Sequence, residues 1–152
     1  MLRAKASDEC DDEGAAVLEF LLAGLVLLVP IVYLIVALGL IQSHALGVEA
    51  AARHTARAVA TATGDADADV RGQRVLAAVA AEYDIDTETI AVSLACTGTA
   101  SRCPEAGTTT VVTVTASVAL PLVPPVLGLD RLARVPVEAR AVHKVSRFWG
   151  HG

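Results

Sequence analysis

The pattern of hydrophobic and polar positions changes sharply at Glu19. The run from Phe20 to Ile41 contains 22 residues and no charge. At about 1.5 Å per residue, a helix of this length covers roughly 33 Å, which matches the hydrocarbon core of a bilayer. A secretory signal peptide has a shorter apolar run of about 7–15 residues, although Ser43-His44-Ala45 offers a small-x-small cleavage pattern. We therefore predict a membrane-spanning helix.

The helical pattern continues past the apolar run, into an alanine-rich segment that extends to Thr63. Glu49 and Arg53 have the i,i+4 spacing and order of a favourable helical ion pair. Two interpretations of this segment stay open. Its small residues would allow close packing against another helix, or it forms an ordinary solvated stalk. In both cases we predict one helix over residues 15–63, which spans the membrane and then continues as a stalk.

The remainder of the chain has the pattern of a small α+β domain over residues 67–149. A turn precedes a helix whose N-cap we place near Asp67, and residues 70–83 have the periodicity of an amphipathic helix. Alternating apolar and polar positions then predict three strands, over residues 90–96, 108–120 and 135–145. The predicted fold class is α+β: a long N-terminal transmembrane and stalk helix, followed by one helix packed on a three-stranded antiparallel sheet.

The connection from Pro121 to Leu132 between the second and third predicted strands is apolar and rich in proline. It is a poor helix and a poor strand. Three interpretations stay open for it: contact with the membrane surface, contact with a neighbouring subunit, or a partly buried loop.

Composition and charge exclude several classes of function. The net charge of −5 argues against a nucleic-acid partner. We find no phosphate-binding loop, nucleophile elbow or metal-ligand set, so we expect neither an enzyme nor a cofactor. The nearest approach to paired catalytic carboxylates is an acidic group that flanks the predicted helix-to-strand turn, where such side chains are normally solvated: Glu82, Asp84, Asp86 and Glu88.

The three cysteines bear on the orientation of the chain. Cys96 and Cys103 lie far beyond the apolar run, and Cys10 precedes it. An oxidising exterior would let Cys96 and Cys103 form a disulfide and would leave Cys10 reduced inside. The alternative is three free thiols. Basic residues near the two ends of the span do not decide between the orientations. We expect a cytoplasmic N-terminus and an extracytoplasmic C-terminal domain.

A short motif stands at the beginning of the apolar run. The sequence Gly14-Ala15-Ala16-Val17-Leu18-Glu19-Phe20 follows a polar leader, residues 1–14. A carboxylate is costly in the bilayer and less so near its surface. One interpretation is that Glu19 lies at the headgroup level, near the positive end of the helix dipole.

The same motif, with its leader and apolar helix, resembles the processing site of type IV prepilins and pseudopilins. The Glu19-Phe20 pair, Pro30 within the helix and the size of the chain most resemble the TadE-like branch of the tight-adherence (Flp) pilus system. The resemblance implies cleavage between Gly14 and Ala15 by a prepilin peptidase, and a role for Glu19 and Phe20 in helix register and assembly. The leader differs from the usual one, because acidic residues stand where basic residues are common.

Two functional hypotheses follow. In the first, the chain is a membrane-anchored minor pseudopilin-like component that assembles a tight-adherence pilus or a related type II secretion system. Its partners would be the lipid bilayer and other pseudopilin or pilus-assembly subunits. In the second, it is an anchored extracytoplasmic binding module unrelated to pili, and its leader persists.

Overall fold

The alternation and helical periodicity of the chain give two helices followed by a sheet. The computed structural model describes residues 9–97, 102–123 and 128–149, with side chains from Ala15 onward except those of residues 130 and 131. The helices are α1 (Glu9–Ala60), α2 (Asp65–Glu82) and the short α3 (Leu129–Leu132), with a 3₁₀ turn at Thr87–Thr89. The strands are β1 (Ala91–Thr97), β2 (Thr109–Ala119) and β3 (Arg134–Lys144). The predicted α+β fold class is confirmed.

The chain divides into two units, Met1–Leu38 and Gly39–Gly152. The described part of the first unit is helical and belongs to α1, with Pro30 inside it. Its large apolar side chains are exposed nearly throughout, between 46% for Ile31 and 78% for Phe20. The described residues of the first unit therefore form no apolar core that covers these side chains.

The sheet of the second unit has the strand order β1-β2-β3, and both pairs are antiparallel. Val114 of β2 lies opposite Val92 of β1 and Ala139 of β3. Because side chains alternate across a strand, one face of β2 is buried, with Val112 and Val118 at 0% exposure. The central strand therefore supplies the apolar layer on which the helices pack.

The part of α1 within the second unit is a core element of the domain, where the sequence suggested a stalk. Val48, Ala51 and Ala52 are buried in the cluster that also contains Val112 and Val114 of β2. The small side chains of α1 thus pack on the sheet of their own domain. The second unit begins at Gly39, and it therefore includes the alanine-rich half of α1 that supplies this face.

The turn between α1 and α2 also differs from the sequence prediction. The helix begins at Asp65, after Gly64, and Asp67 lies inside its first turn and does not form the N-cap. The Asp67 carboxylate reaches back and accepts a hydrogen bond from the Thr63 backbone N–H at 2.9 Å. It also accepts one from Arg71 Nε at 2.8 Å. The first of these bonds satisfies an amide that precedes the helix, so the residue stabilises the turn from within α2.

The C-terminal segment covers the end of α1. The Ser146 backbone N–H donates to the Ala60 carbonyl at 3.1 Å, and the Trp149 indole Nε1–H donates to the Val59 carbonyl at 3.2 Å. The last carbonyls of a helix have no partner within the helix. Residues distant in sequence thus cap α1 and hold the end of β3 beside it.

Candidate functional site

The motif that the sequence singles out lies within α1. Gly14 and Ala15 are five and six residues after Glu9, the first residue of the helix. Glu19 is one turn further on, and its side chain is exposed. Within the described part of the chain, Glu19 has no ion pair or hydrogen bond. The exposed Glu19 carboxylate is therefore accessible from outside the chain.

Apolar side chains surround Glu19 on the helix surface. Leu18 is 69% exposed and Phe20 is 78% exposed. One turn beyond Glu19, Ala23 and Gly24 leave a shallow groove between Phe20 and the leucines that follow. A Cβ at Gly24 would contact nothing within 4 Å. The helix surface therefore has a shallow apolar groove next to an acidic side chain.

Among the described residues, α1 is the one helix that is long enough and apolar enough to cross a membrane. Only 6% of its most apolar stretch is buried in the structure. A helix at the centre of a soluble protein would bury that surface against other elements. By length and composition, α1 therefore has the properties of a membrane-spanning helix.

The spacing of the motif defines what chemistry Glu19 can take part in. If the chain began at Ala15, the new α-amino group would stand four residues before Glu19, about one helical turn away along the axis. An α-amino group has a pKa near 8 and is largely protonated at neutral pH. A cation and an anion would then lie together at the edge of the apolar surface.

The two cysteines that the sequence pairs are joined in the structure. Cys96, the penultimate residue of β1, forms a disulfide with Cys103, and their Cα atoms are 5.6 Å apart. Cys96 Sγ also lies 3.6 Å from Thr110 Oγ1 on β2. The disulfide therefore fixes the loop between β1 and β2 to the edge of the sheet. The side chain of Cys10 lies outside the described part of the molecule.

A cleft of about 520 Å³ lies beside this disulfide. Thr55 of α1, Asp69 and Gly72 of α2, and Leu94 of β1 are among the residues that line it. The Thr55 hydroxyl oxygen is inaccessible to solvent and has no hydrogen-bond partner among the described residues. The cleft therefore gains no polar anchor from that group. Among the described residues, no three His, Cys, Asp or Glu side chains converge on a common point.

The acidic residues between α2 and β1 have local roles. Asp86 Oδ1 accepts a hydrogen bond from the Glu88 backbone N–H at 3.0 Å and so caps the 3₁₀ turn. Asp84 has a positive φ of 52°, a conformation that Asp adopts more readily than most residues. Both side chains are exposed, as expected for acids that shape a turn.

Comparison of the chain with protein-family models, curated proteins and solved structures found no significant match. The fold and α1 define the class: an α+β domain whose first helix has the length and composition of a membrane span. Sequence reasoning missed two close contacts that hold this domain together, Gly47 against Tyr83 and Trp149 on the end of α1. Neither has a local sequence pattern, because each joins residues that are far apart in the chain.

Proposed function

We propose that this protein is a membrane-anchored minor pseudopilin-like component of a tight-adherence (Flp) pilus or related secretion assembly. The observation that carries the proposal is the placement of Gly14 and Glu19 at the beginning of a helix with an exposed apolar surface. The N-terminus would lie in the cytoplasm, the helix in the cell membrane, and the α+β domain outside.

Processing and assembly would use the same turn of α1. A prepilin peptidase would cut between Gly14 and Ala15 and create an α-amino group on Ala15. The Glu19 carboxylate would then pair with its own amine or with that of a neighbouring copy. In apolar surroundings, a displaced helix would leave a charge without a partner, so the pair fixes the axial register.

Substitution of Glu19 tests this role. Glu19→Gln removes the negative charge and retains the length of the side chain. We expect normal insertion and about tenfold less recovery of the neighbouring subunits, equivalent to about 1.4 kcal/mol of lost pairing. The measurement is co-purification of assembly subunits from cross-linked host membranes.

Glu49→Gln is the matched control. It removes an exposed carboxylate that pairs with Arg53 in the domain half of α1, so it should leave assembly unchanged. If Glu19→Gln and the wild type recover the same subunits in equal amounts, Glu19 has no register role.

The orientation is supported by the cysteines. A disulfide persists in an oxidising compartment, and Cys96 and Cys103 both lie in the α+β domain. In host cells that lack the prepilin peptidase, where the leader and its Cys10 are retained, we expect a membrane-impermeant maleimide to leave intact cells unlabelled and to label Cys10 after permeabilisation. Labelling of Cys10 in intact cells would place the N-terminus outside and contradict the proposed orientation.

A further inference from the structure

The connection between β2 and β3 exposes large apolar side chains. Leu122 is 88% exposed, Leu132 is 83% exposed and Leu129 is 42% exposed. Leu122 also has a positive φ of 63°, which residues other than glycine rarely adopt. We call these three side chains the leucine surface. Residues 124–127, which lie between them in sequence, are outside the described part of the chain.

The leucine surface lies at one defined end of the domain. The last hydrogen bond between the strands joins Leu120 N–H to the Ala133 carbonyl at 2.9 Å. Leu122 and Leu132 are two residues and one residue beyond this pair. The opposite end of the same two strands is held at Ala60, the last residue of α1, by the Ser146 bond of 3.1 Å.

The length of β2 places the leucine surface near the level of Gly39. β2 has 11 residues, which at about 3.3 Å per residue cover roughly 36 Å. The helix from Gly39 to Ala60 covers roughly 33 Å at about 1.5 Å per residue. Since the strands start from the level of Ala60, their other end lies near the level at which the chain enters the domain.

A second set of contacts also places the leucine surface near the level of Gly39 along α1. Gly47 lies directly against Tyr83 and Ile85, which lead through the 3₁₀ turn into β1. The first residue of β1, Ala91, pairs with Thr115. β2 continues from Thr115 to Ala119 and covers roughly 13 Å, and α1 from Gly47 back to Gly39 covers roughly 12 Å. The end of β2 and Gly39 of α1 therefore lie at the same end of the domain.

We propose that the leucine surface is a second membrane contact, which inserts into the headgroup region of the bilayer that α1 spans. The apolar run ends at Ile41, so the bilayer surface lies at the Gly39 end of the domain. Exposed leucines beside a basic residue, here the exposed Arg134, are typical of interfacial contacts with anionic lipids. This inference rests on the proposed membrane placement of α1 and is independent of pilus assembly.

Quenching of tryptophan fluorescence by brominated lipid tests the contact. The full chain is reconstituted at low density into phosphatidylcholine–phosphatidylglycerol vesicles, with bromine near the headgroup end of the acyl chains. Leu132→Trp reports on the leucine surface. Phe148→Trp is the matched control, because Phe148 is also 83% exposed and lies at the Ala60 end. Phe20→Trp reports independently on insertion of the span.

Each variant contains two tryptophans, since the chain has one, Trp149. We expect Leu132→Trp to lose about half of its emission in brominated vesicles, because only the introduced indole lies at the interface. Phe148→Trp and the parent should lose little. Quenching of Phe20→Trp without quenching of Leu132→Trp overturns the second contact and leaves the span intact.

Two other results also overturn the proposal. Equal quenching of Leu132→Trp and Phe148→Trp means that the domain lies on its side against the lipid. No quenching of Phe20→Trp means that α1 does not enter the bilayer, which removes the proposed membrane placement as well.

Discussion

Substitution of Gly47 by alanine tests how closely α1 packs on its own domain. A Cβ at this position would lie 2.7 Å from Tyr83 Cγ, 2.8 Å from Tyr83 Cβ and 2.9 Å from Ile85 Cδ1. The Tyr83 Cβ is bonded to the backbone, so it cannot move away as the end of a flexible side chain would. The helix and the segment after α2 must therefore separate to admit one methyl group.

The expected magnitude is the difference between two opposing effects. Overpacking a well-packed core costs about 1–3 kcal/mol, and Gly→Ala within a helix gains about 1 kcal/mol. The net result for Gly47→Ala is a loss of about 1 kcal/mol. Gly72→Ala in α2 is the matched control: its Cβ would meet Thr55 Cγ2 at 3.8 Å and Val59 Cγ2 at 3.9 Å, ordinary contact distances. That variant should therefore gain about 1 kcal/mol.

The assay is thermal unfolding of the full chain in detergent micelles, followed by the emission of Trp149. This is the one tryptophan in the sequence, and its indole is bonded to the end of α1. A difference of about 2 kcal/mol between the variants corresponds to roughly 8 °C in Tm for a domain of this size. If Gly47→Ala is as stable as Gly72→Ala, the close approach of α1 to Tyr83 is refuted.

Three further predictions follow from individual side chains. Thr55→Val removes a buried hydroxyl that has no hydrogen-bond partner in the described part of the molecule, so urea unfolding should show unchanged or increased stability, by up to about 1 kcal/mol; a clear loss would mean that the hydroxyl has a partner. The hydrogen bond from Arg71 lowers the pKa of Asp67 below its ordinary value. Its contribution is therefore complete above the ordinary pKa and is lost as the pH falls through the folded-state pKa; NMR titration of Arg71→Ala should show the Asp67 pKa rising, and an unchanged value would exclude the bond. Reduction of the Cys96–Cys103 disulfide should lower the free energy of unfolding by about 2.5 kcal/mol, the loop-closure value for its short loop; an unchanged unfolding midpoint with reductant would show that the disulfide adds no stability.

The sequence predicts the sheet well because one face of it is buried. Strict alternation in β2 places Val112, Val114, Ala116 and Val118 on the inner face, where each is at most 3% exposed. A pattern with a period of two fixes which side chains point inward. The three strands, their antiparallel order and the helix that covers them all follow from patterns that are visible locally.

The role of the second half of α1 could not be predicted in the same way. Alanine is compatible with a solvated helix, with helix–helix contact and with a core, so Ala51, Ala52 and Ala56 do not distinguish these environments. Their burial depends on the sheet, which forms from residues much later in the chain. Likewise, the contact of Trp149 with Val59 spans 90 residues and has no local pattern.

The candidate site, too, could be predicted from the sequence only in part. The motif from Gly14 to Glu19 and its position before the apolar run are visible in the sequence. The structure adds that Glu19 is exposed and without an ion pair in the described part of the chain. The leucine surface could not be identified without the fold, because the level of Leu122 and Leu132 along α1 depends on the register of β2 and β3.

The intact mass of the protein purified from its own host membranes tests the central claim most directly. Our account predicts cleavage after Gly14, so the mature chain should begin at Ala15 and lack the mass of residues 1–14. Its first residue can be verified by N-terminal sequencing. A chain that retains Gly14 and the acidic leader would contradict processing as a pseudopilin and would favour an anchored binding module.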